Sequence, residues 1–311
     1  MNPEILIVGS GALATLFAAR LSAAGVDVTM LGSWREGLAA LRTNGACLEG
    51  EDNQRVRATD SPADCRGAKF ALVLVKSWQT EHAARQLVDC LAEDSLAVTL
   101  QNGLGNDALL SALLGQERVS RGVTTLGATL VRPGVVRLGG DGVVTLEAHA
   151  RLDAMADILR VANFKVSIVE DAQPVVWGKL MVNAAINPLT ALLRVKNGEL
   201  LANPQARSLM GELARETATV ADSLGVKLSY LTPERTVEEV AQRTADNISS
   251  MLQDVLRGAQ TEVDAINGAI VRTGELQGVS TPANRAVWSL VKALPLHGKM
   301  AVGPFVGGFN A

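Results

Sequence analysis

The sequence has few cysteines and no long apolar stretch, and these scarcities exclude several classes of protein. Its three cysteines, Cys47, Cys65 and Cys90, are widely spaced. Such spacing fits neither a disulfide framework nor a metal site, so we expect no bound metal and a reducing, cytoplasmic location. No apolar stretch approaches the ~18–20 residues of a membrane span, and no basic segment precedes the first apolar run. We therefore expect neither membrane insertion nor export.

A strong charge of either sign is also missing. The formal net charge is -3, and like charges form no long block. Nucleic acid is not an expected partner, because binding its phosphate backbone requires a basic stripe. Apolar residues make up 48% of the chain and charged residues 20%, which indicates a globular protein. A length of 311 residues favours two domains with a cleft between them.

Strand-like and helix-like segments alternate in the first half of the chain. An apolar run from Ile5 to Val8 precedes a helical pattern that closes at Gly25. Further strands are predicted at Val26 to Leu31, Phe70 to Val75, Leu96 to Leu100 and Val119 to Thr125, with helices at about 80–91 and 106–114. This alternation predicts an α/β fold with a Rossmann-type, doubly wound parallel sheet. Val135 to Leu138 and Val143 to Leu146, separated by Gly139–Gly142, are predicted to form a hairpin at an antiparallel edge.

Helical patterns replace strands after Val169, so we place a domain boundary near Glu170. Residues 1–170 would bind a dinucleotide, and residues 171–311 would form an all-helical substrate domain, with the active site in the cleft between them. One long helix is predicted from Glu234 to Arg272. Its expected core stripe consists of Ile248, Leu252, Val255, Ala259, Val263, Ile266 and Ile270. The glycine-rich end from Gly303 to Phe309 is interpreted as a loose tail.

A glycine motif lies between the first strand and the first helix. Gly9, Ser10, Gly11, Ala12, Leu13 and Ala14 follow the G-x-G-x-x-G/A pattern of dinucleotide-binding turns. In such turns the first glycine permits the bend, the second lets backbone approach the pyrophosphate, and the last small residue packs helix against strand. The helix N-terminus adds amide donors and a positive dipole. The alternative is a purely structural turn.

The end of the second strand bears on the choice between NAD and NADP. NAD enzymes usually carry an acidic residue there, which binds the ribose 2′-hydroxyl. Here the segment from Leu31 to Arg35 has no carboxylate, and Asp27 comes too early in the strand. Ser33 and Arg35 could instead donate to a 2′-phosphate, which favours NADP. The alternative is that Arg35 is only a solvated residue at a helix start.

Two later strand ends carry polar residues, at the edge where doubly wound sheets bind ligands. Lys76 follows one predicted strand, and Asn102, beside Gly103, follows the next. Both positions could equally be ordinary solvated turns.

Three polar residues interrupt an otherwise apolar helical stretch. Lys179, Asn183 and Asn187 recur at intervals of four and so share one helix face. Asparagine is a weak helix former, so this stripe suggests a wet pocket rather than a solvated surface, although a thinly polar surface stays possible. The histidines, His82, His149 and His297, lie outside every motif. A partly desolvated lysine can act as a general acid toward a carbonyl oxygen, and Lys179 is our candidate.

Two carboxylates lie in the predicted long helix. Periodicity alone places Asp254 and Glu262 at the border of the apolar stripe, where we interpret them as exposed salt-bridge residues.

Taken together, these segments make the sequence resemble the ketopantoate reductase (2-dehydropantoate 2-reductase) family over nearly the whole chain. Six motifs occur in order. They are Gly9–Ala14, Lys76–Thr80, Gln101–Gly105, Lys179–Thr190, Lys196–Leu200, and Asn247–Asp254 together with Thr261-Glu262.

The resemblance implies an enzyme that reduces 2-dehydropantoate to pantoate with NADPH, in pantothenate and coenzyme A biosynthesis. It implies that Lys179 protonates the 2-oxo oxygen and that Glu262 binds the substrate hydroxyl. It further implies that the substrate contacts Asn183, Asn187 and Ser250, that Asn247 supports them, and that Lys76 and Asn102 contact the cofactor. Asn102 would also lie near the substrate.

Other functions stay open at this point. The same architecture could reduce another small 2-oxo or 3-oxo acid, or work as an NAD-dependent dehydrogenase in the oxidative direction. A protein that senses NADPH without turnover is a third alternative. Either a monomer or a homodimer is compatible with the sequence.

Overall fold

The computed structural model describes residues 4–229 and 232–295 of the chain. The described residues form two compact units. The first contains the residues up to Leu180 and a segment that begins at Ala221, and the second contains Met181–Val220 and the residues from Thr232 onward. The glycine-rich segment Gly303 to Phe309 lies outside the described residues.

An eight-stranded sheet forms the centre of the first unit. The strands of the chain are β1 Glu4–Val8, β2 Asp27–Leu31, β3 Cys47–Leu48, β4 Arg57–Thr59, β5 Ala68–Val73, β6 Leu91–Thr99, β7 Val119–Thr124, β8 Ala128–Arg132, β9 Val135–Leu138, β10 Val143–Glu147 and β11 Lys165–Val169. The large sheet has the order β11-β10-β7-β6-β5-β1-β2-β4. All of its neighbours pair in parallel except β10 with β7. The predicted doubly wound sheet is confirmed.

Helices cover both faces of this sheet. The helices of this part are α1 Ala12–Ala23, α2 Arg35–Asn44, α3 Thr80–Cys90, α4 Asn106–Leu114 and α5 Asp153–Val161. Alternate residues of β1 enter different cores: Ile5 and Ile7 pack with α1 and α5, and Leu6 and Val8 pack with α3 and α4. A strand that is buried on both faces needs apolar residues at every position, which explains the unbroken run in β1.

The predicted glycine-linked hairpin is wrong. β9 pairs with β3 and β8 in a separate three-stranded sheet, whereas β10 pairs with β7 and β11 in the large sheet. Gly139 donates its N–H to the carbonyl of Gly127 at 2.8 Å, a bond that extends the antiparallel pairing of β8 with β9 by one residue on each strand. The antiparallel strand β10 therefore lies inside the large sheet, and β11 forms its edge.

Every described element after β11 is a helix, so the all-helical character of the second part is confirmed. These helices are α6 Gln173–Leu193, α7 Glu199–Ala202, α8 Pro204–Ser223, α9 Pro233–Arg243, α10 Ser250–Leu256, α11 Asn267–Gln277 and α12 Pro282–Lys292. Within the described ranges, none of the helices combines the length and the apolar character that a membrane span requires.

The single long helix predicted from Glu234 to Arg272 is wrong, because α9, α10 and α11 occupy that range. Ser249 starts α10 by accepting a hydrogen bond from the N–H of Leu252 on its side chain at 3.1 Å. Gly258 follows the end of α10 with a φ of 66°, a left-handed conformation that glycine adopts readily. Ile248 and Ala259 of the expected stripe are exposed as a result.

Candidate active site

The turn between β1 and α1 has the geometry that its glycines predict. Gly9 has a φ of 134° and donates its N–H to the carbonyl of Leu31 at 2.7 Å. A Cβ at Gly9 would lie 3.0 Å from the carbonyl oxygen of Leu74 and 3.2 Å from the nitrogen of Val75. Both the conformation and the crowding therefore require glycine, which holds the turn against β2 and the chain that follows β5.

Gly11 and Ala14 differ from Gly9 in their surroundings. Gly11 is the residue before α1, and a Cβ there would meet nothing within 4 Å. The protein itself therefore leaves space at Gly11, beside the free amides of a helix N-terminus, where an anionic group can approach the backbone. Ala14 is fully buried against the sheet, and Ser10 is buried beneath the turn. Ala12 and Leu13, in the first turn of α1, are half-buried.

The end of β2 presents a cation and a hydroxyl and no acid. Ser33 is exposed, and Arg35, also exposed, is the first residue of α2. Asp27 lies at the opposite end of β2, where its carboxylate accepts a hydrogen bond from Arg57 at 3.0 Å. Gly37 makes room for the Trp34 indole, which a Cβ at Gly37 would overlap. This packing fixes the start of α2 and hence the backbone at Arg35.

A partly buried hydrogen-bond network joins the loops that carry Lys76 and Asn102. The side-chain amide of Gln101 donates to the carbonyl of Val75 at 2.9 Å and to the hydroxyl of Thr80 at 2.8 Å. That hydroxyl lies 2.8 Å from the Asn106 side-chain oxygen, and the Asn106 amide donates to the carbonyl of Asn102 at 3.0 Å. The network therefore fixes the two loops relative to each other. Sequence reasoning missed Gln101, Thr80 and Asn106 as organising residues.

Helix α6 carries the lysine and the two asparagines over two turns. Lys179 and Asn183 are half-buried, and Asn187 is buried. Each step of four residues drifts by ~40° around a helix of 3.6 residues per turn, so the stripe turns gradually from a partly exposed to a buried position. Asn187 thus differs from a residue on a solvated face, and the wet pocket around the stripe stays a prediction.

The start of α6 is fixed by an ion cluster that sequence reasoning missed. Glu147 of β10 accepts hydrogen bonds from Arg121 of β7 at 2.8 Å and from the N–H of Ala172 at 3.2 Å. Burial lowers the pKa of Arg121, but its hydrogen bond and charge interaction with Glu147, helped by Asp107 and Asp171, leave that pKa above its ordinary value. Arg121 therefore stays charged and holds Glu147 at the N-terminus of α6.

Ser250 and Asn247 lie at the start of α10, and both are exposed. Their neighbour Ser249 is buried and lies 2.6 Å, oxygen to oxygen, from Thr190 of α6. The carbonyl of Asn247 accepts a hydrogen bond from the N–H of Asn197 at 3.1 Å. The segment Lys196–Leu200 and the buried Ser249 thus hold the backbone of the residues that the resemblance assigns to substrate. Ser249 is a serine before a helix start, a signal that the single-helix prediction concealed.

The carboxylates Glu262 and Asp254 are buried, each with 6% of its surface exposed, so the prediction that they are exposed is wrong. Glu262 lies in the segment between α10 and α11. Asp264, in the same segment, attaches it to α12. Asp264 accepts hydrogen bonds from the Trp288 indole at 2.8 Å and from Lys292 at 3.0 Å. Burial raises the pKa of Asp264, but these two hydrogen bonds and the charges of Lys292 and Arg272 leave it below its ordinary value. An ionised Asp264 thus holds the segment that carries Glu262.

The described residues contain no group of three or more histidine, cysteine or acidic side chains placed to hold a metal ion. The side chains predicted for the site are an amine on Lys179, the amides of Asn183 and Asn187, the hydroxyl of Ser250 and the buried carboxylate of Glu262. Groups of these types can bind a small polar anion and can move a proton to an oxygen.

The chain is similar in sequence to known proteins. A sequence model described as "Ketopantoate reductase PanE/ApbA" matches residues 5–151, and one described as "Ketopantoate reductase PanE/ApbA C terminal" matches residues 171–295. The 2-dehydropantoate 2-reductase of Archaeoglobus fulgidus is 37% identical over 94% of this chain and 97% of its own length. The enzyme of the same name from Pyrococcus horikoshii is 33% identical over 93% of this chain and 97% of its own length.

Solved structures show the same likeness. A PanE/ApbA family ketopantoate reductase from Ralstonia eutropha JMP134 superposes with a TM-score of 0.88 at 30% identity, over 94% of this chain and 98% of that one. D-mandelate dehydrogenase, solved with NADH and anilino(oxo)acetate, superposes with a TM-score of 0.86 at 25% identity, over 93% of this chain and 97% of that one.

Proposed function

The chain belongs to the ketopantoate reductase family, and from this membership we propose that it reduces 2-dehydropantoate to pantoate with NADPH. This reaction would serve pantothenate and coenzyme A biosynthesis. The observation that carries the proposal is the partly buried stripe of Lys179, Asn183 and Asn187 on α6 in a chain with a dinucleotide-binding turn.

The first unit fits a nicotinamide dinucleotide. The space at Gly11, in front of the α1 amides, suits a pyrophosphate, and the positive φ of Gly9 permits the turn that precedes it. The remaining cofactor contacts that we propose are Ser10, Ala12, Leu13, Ala14, Lys76 and Asn102. When bound, the nicotinamide supplies the hydride that adds to C2 of the substrate.

NADPH is favoured over NADH by the charges at the end of β2. Ser33 and Arg35 are exposed there and able to donate to a 2′-phosphate, and Asp27 is engaged by Arg57 at the far end of the strand. A guanidinium pairs with a phosphate through charge-assisted hydrogen bonds, which a ribose hydroxyl cannot match.

Lys179 is the proposed general acid. Addition of hydride to C2 breaks the C=O π bond and leaves the electron pair on oxygen, and the Lys179 ammonium gives that oxygen its proton. Solvent then returns a proton to the amine. Before transfer, the ammonium polarises the carbonyl, an interaction that strengthens as negative charge develops on oxygen.

The second unit supplies most of the groups that we propose to bind substrate. Asn183, Asn187 and Ser250, with Asn247 in support, would hold the carboxylate and orient C2. Glu262 would accept a hydrogen bond from the substrate hydroxyl, and its burial excludes the water that would compete for that bond. Asn102 would contact both substrate and cofactor.

We also propose that the cofactor domain spans residues 1–170 and the substrate domain residues 171–311. The ranges of the two family models, 5–151 and 171–295, support a division at this point. The cytoplasmic location and the choice between monomer and homodimer stay predictions.

The proposed function is tested by substrate-dependent oxidation of NADPH, followed by its absorbance. Purified protein is assayed with 2-dehydropantoate and, in parallel, with phenylglyoxylate and other 2-oxo acids, each with NADPH and with NADH. We expect 2-dehydropantoate with NADPH to give the highest kcat/KM. A higher kcat/KM for another acid would overturn the substrate assignment, and a preference for NADH would overturn the cofactor assignment.

One observation favours a second candidate function. The structural likeness to D-mandelate dehydrogenase, solved with NADH, is nearly as close as that to the Ralstonia reductase. A 2-hydroxy acid dehydrogenase would oxidise mandelate with NAD+, so the same assay run in reverse separates the two functions.

A further inference from the structure

Helix α6 continues through a proline. Pro188 lies inside α6, which runs on to Leu193. A proline has no N–H to donate to the carbonyl four residues earlier, and its ring crowds that carbonyl. The carbonyl of Ala184 therefore loses the partner that it would have in an unbroken helix. Because Ala184 is fully buried, this oxygen needs another donor.

Asn267 supplies that donor. Its side-chain amide donates to the carbonyl of Ala184 at 3.1 Å, across a sequence separation of 83 residues. The same amide group donates to the side-chain oxygen of Asn284 at 3.0 Å. Asn267 is completely buried and is the first residue of α11, so its position is fixed by a helix.

A second pair of bonds holds Asn284 in turn. The Asn284 side-chain amide donates to the Glu216 carboxylate of α8 at 2.8 Å. That carboxylate also accepts the N–H groups of Ala283 at 2.8 Å and Asn284 at 2.9 Å, at the N-terminus of α12. An anion at this helix end is favoured by the helix dipole. Glu216, Asn284 and Asn267 thus form a continuous hydrogen-bonded chain that ends on the Ala184 carbonyl.

We propose that Asn267 is a positioning residue for substrate binding. It acts through the carbonyl of Ala184, which directly follows Asn183 and lies one turn before Asn187. By replacing the hydrogen bond that Pro188 removes, Asn267 fixes the rotation of α6 and so the directions of both asparagine side chains. The catalytic part of this inference rests on the proposed function, because that function makes Asn183 and Asn187 substrate contacts.

Thr217 makes a buried side-chain hydrogen bond in the second unit that does not contact α6. Thr217 is also completely buried, and its hydroxyl donates to the carbonyl of Leu213 at 2.7 Å within α8. Loss of this bond would lower the stability of the unit but would not affect the Ala184 carbonyl, which lacks its helical partner because of Pro188. Thr217→Val is therefore the matched control for a change at Asn267.

The test is a double-mutant cycle between Asn267 and Pro188. Asn267→Leu removes the donor, and we expect KM for 2-dehydropantoate to rise about tenfold, an effect of the size of one lost hydrogen bond. The KM for NADPH should stay unchanged. Pro188→Ala gives residue 188 an N–H that can bond Ala184 directly, so Asn267→Leu in that background should raise KM less than twofold. Asn267→Ser, whose side chain is too short to reach Ala184, repeats the test if the leucine variant does not fold.

Three results would overturn the inference. They are an unchanged substrate KM in Asn267→Leu, an equal rise in Thr217→Val, and the absence of rescue by Pro188→Ala. The proposed function is judged separately, from the wild type. If the wild type prefers another 2-oxo acid, the proposed function fails and the cycle is measured with that acid. If it turns over none, the positioning role fails with the function, and urea unfolding of the four proteins of the cycle still reports whether Asn267 and Pro188 are coupled.

Discussion

The turn between β1 and α1 and the helix α6 are held in place by different kinds of interaction. The turn is made by contiguous residues, and two of its positions are glycines: Gly9 has a positive φ in crowded surroundings, and Gly11 leaves open space in front of α1. The α6 region is held by side chains from distant parts of the chain, such as Ser249 on Thr190 and Asn267 on Ala184. The turn is thus fixed by its backbone conformation, whereas α6 is held by buried polar side chains from other helices and loops.

If the turn and α6 serve different ligands, substitutions in one should not affect the ligand of the other. Changes in the turn or at the end of β2 should affect cofactor binding, and changes on α6 or near Glu262 should affect the substrate and the chemistry. The following predictions start with the largest effect.

Lys179→Ala should give the largest loss of turnover. Removal of a general acid lowers rates by about 10²–10⁴-fold, so we expect kcat to fall within that range while the dissociation constant of NADPH stays unchanged. Stopped-flow absorbance and a fluorescence titration measure the two quantities. Lys69→Ala, at an exposed lysine of the first unit, is the control. A comparable loss of NADPH binding in Lys179→Ala would break the separation between the two regions.

Glu262→Gln should give an intermediate loss that depends on the substrate hydroxyl. A hydrogen bond to a charged group contributes about 1.5–3 kcal/mol, so kcat/KM for 2-dehydropantoate should fall roughly 10- to 100-fold. With 3,3-dimethyl-2-oxobutanoate, which lacks the hydroxyl, the same substitution should have a much smaller effect. Glu239→Gln, at an exposed glutamate, serves as the control. An equal fall for both acids would mean that Glu262 has a structural role only.

Arg35→Ala should have the smallest effect, and one confined to the cofactor. Arg35 is exposed, so solvent weakens its pairing with a phosphate, and we expect KM for NADPH to rise about tenfold. The KM for NADH should not change, since NADH has no 2′-phosphate. Initial rates with both cofactors test this, with Arg66→Ala as an exposed control. An equal rise in KM for NADPH and for NADH would show that Arg35 does not bind the 2′-phosphate.

The two regions also differ in how far they could be predicted from the sequence. The β1–α1 turn was predictable, because its glycines and apolar runs act over a few residues. The hairpin prediction failed because β9 pairs with the strand before it, β8, across the short turn at Pro133-Gly134, whereas β10 pairs with β7 and β11, which are farther away in the chain. The apolar periodicity predicted an exposed Glu262, because that prediction treated α9, α10 and α11 as one continuous helix.

Residue types were more informative than periodicity on α6. Asn183 and Asn187 stood out because asparagine is unfavourable in a helix that should be apolar. Asn267 and Asn284 did not stand out, because in the sequence each is an ordinary polar residue at a helix start. Their importance follows only from the structure, where Asn267 donates to the carbonyl that lacks the N–H of residue 188. The proposed role of Glu262 came from the resemblance to a family, because the residues alone did not indicate it.

The most direct test of the central claim follows a deuterium atom from the cofactor to the product. The protein is incubated with 2-dehydropantoate and NADPH deuterated at C4 of the nicotinamide, separately on each of its two faces, and the product is analysed by mass spectrometry. We predict that one labelled form of NADPH yields pantoate with one deuterium at C2 and that the form labelled on the opposite face yields pantoate with none. Absence of labelled pantoate with both cofactors would contradict the claim that this chain transfers a hydride from NADPH to C2 of 2-dehydropantoate.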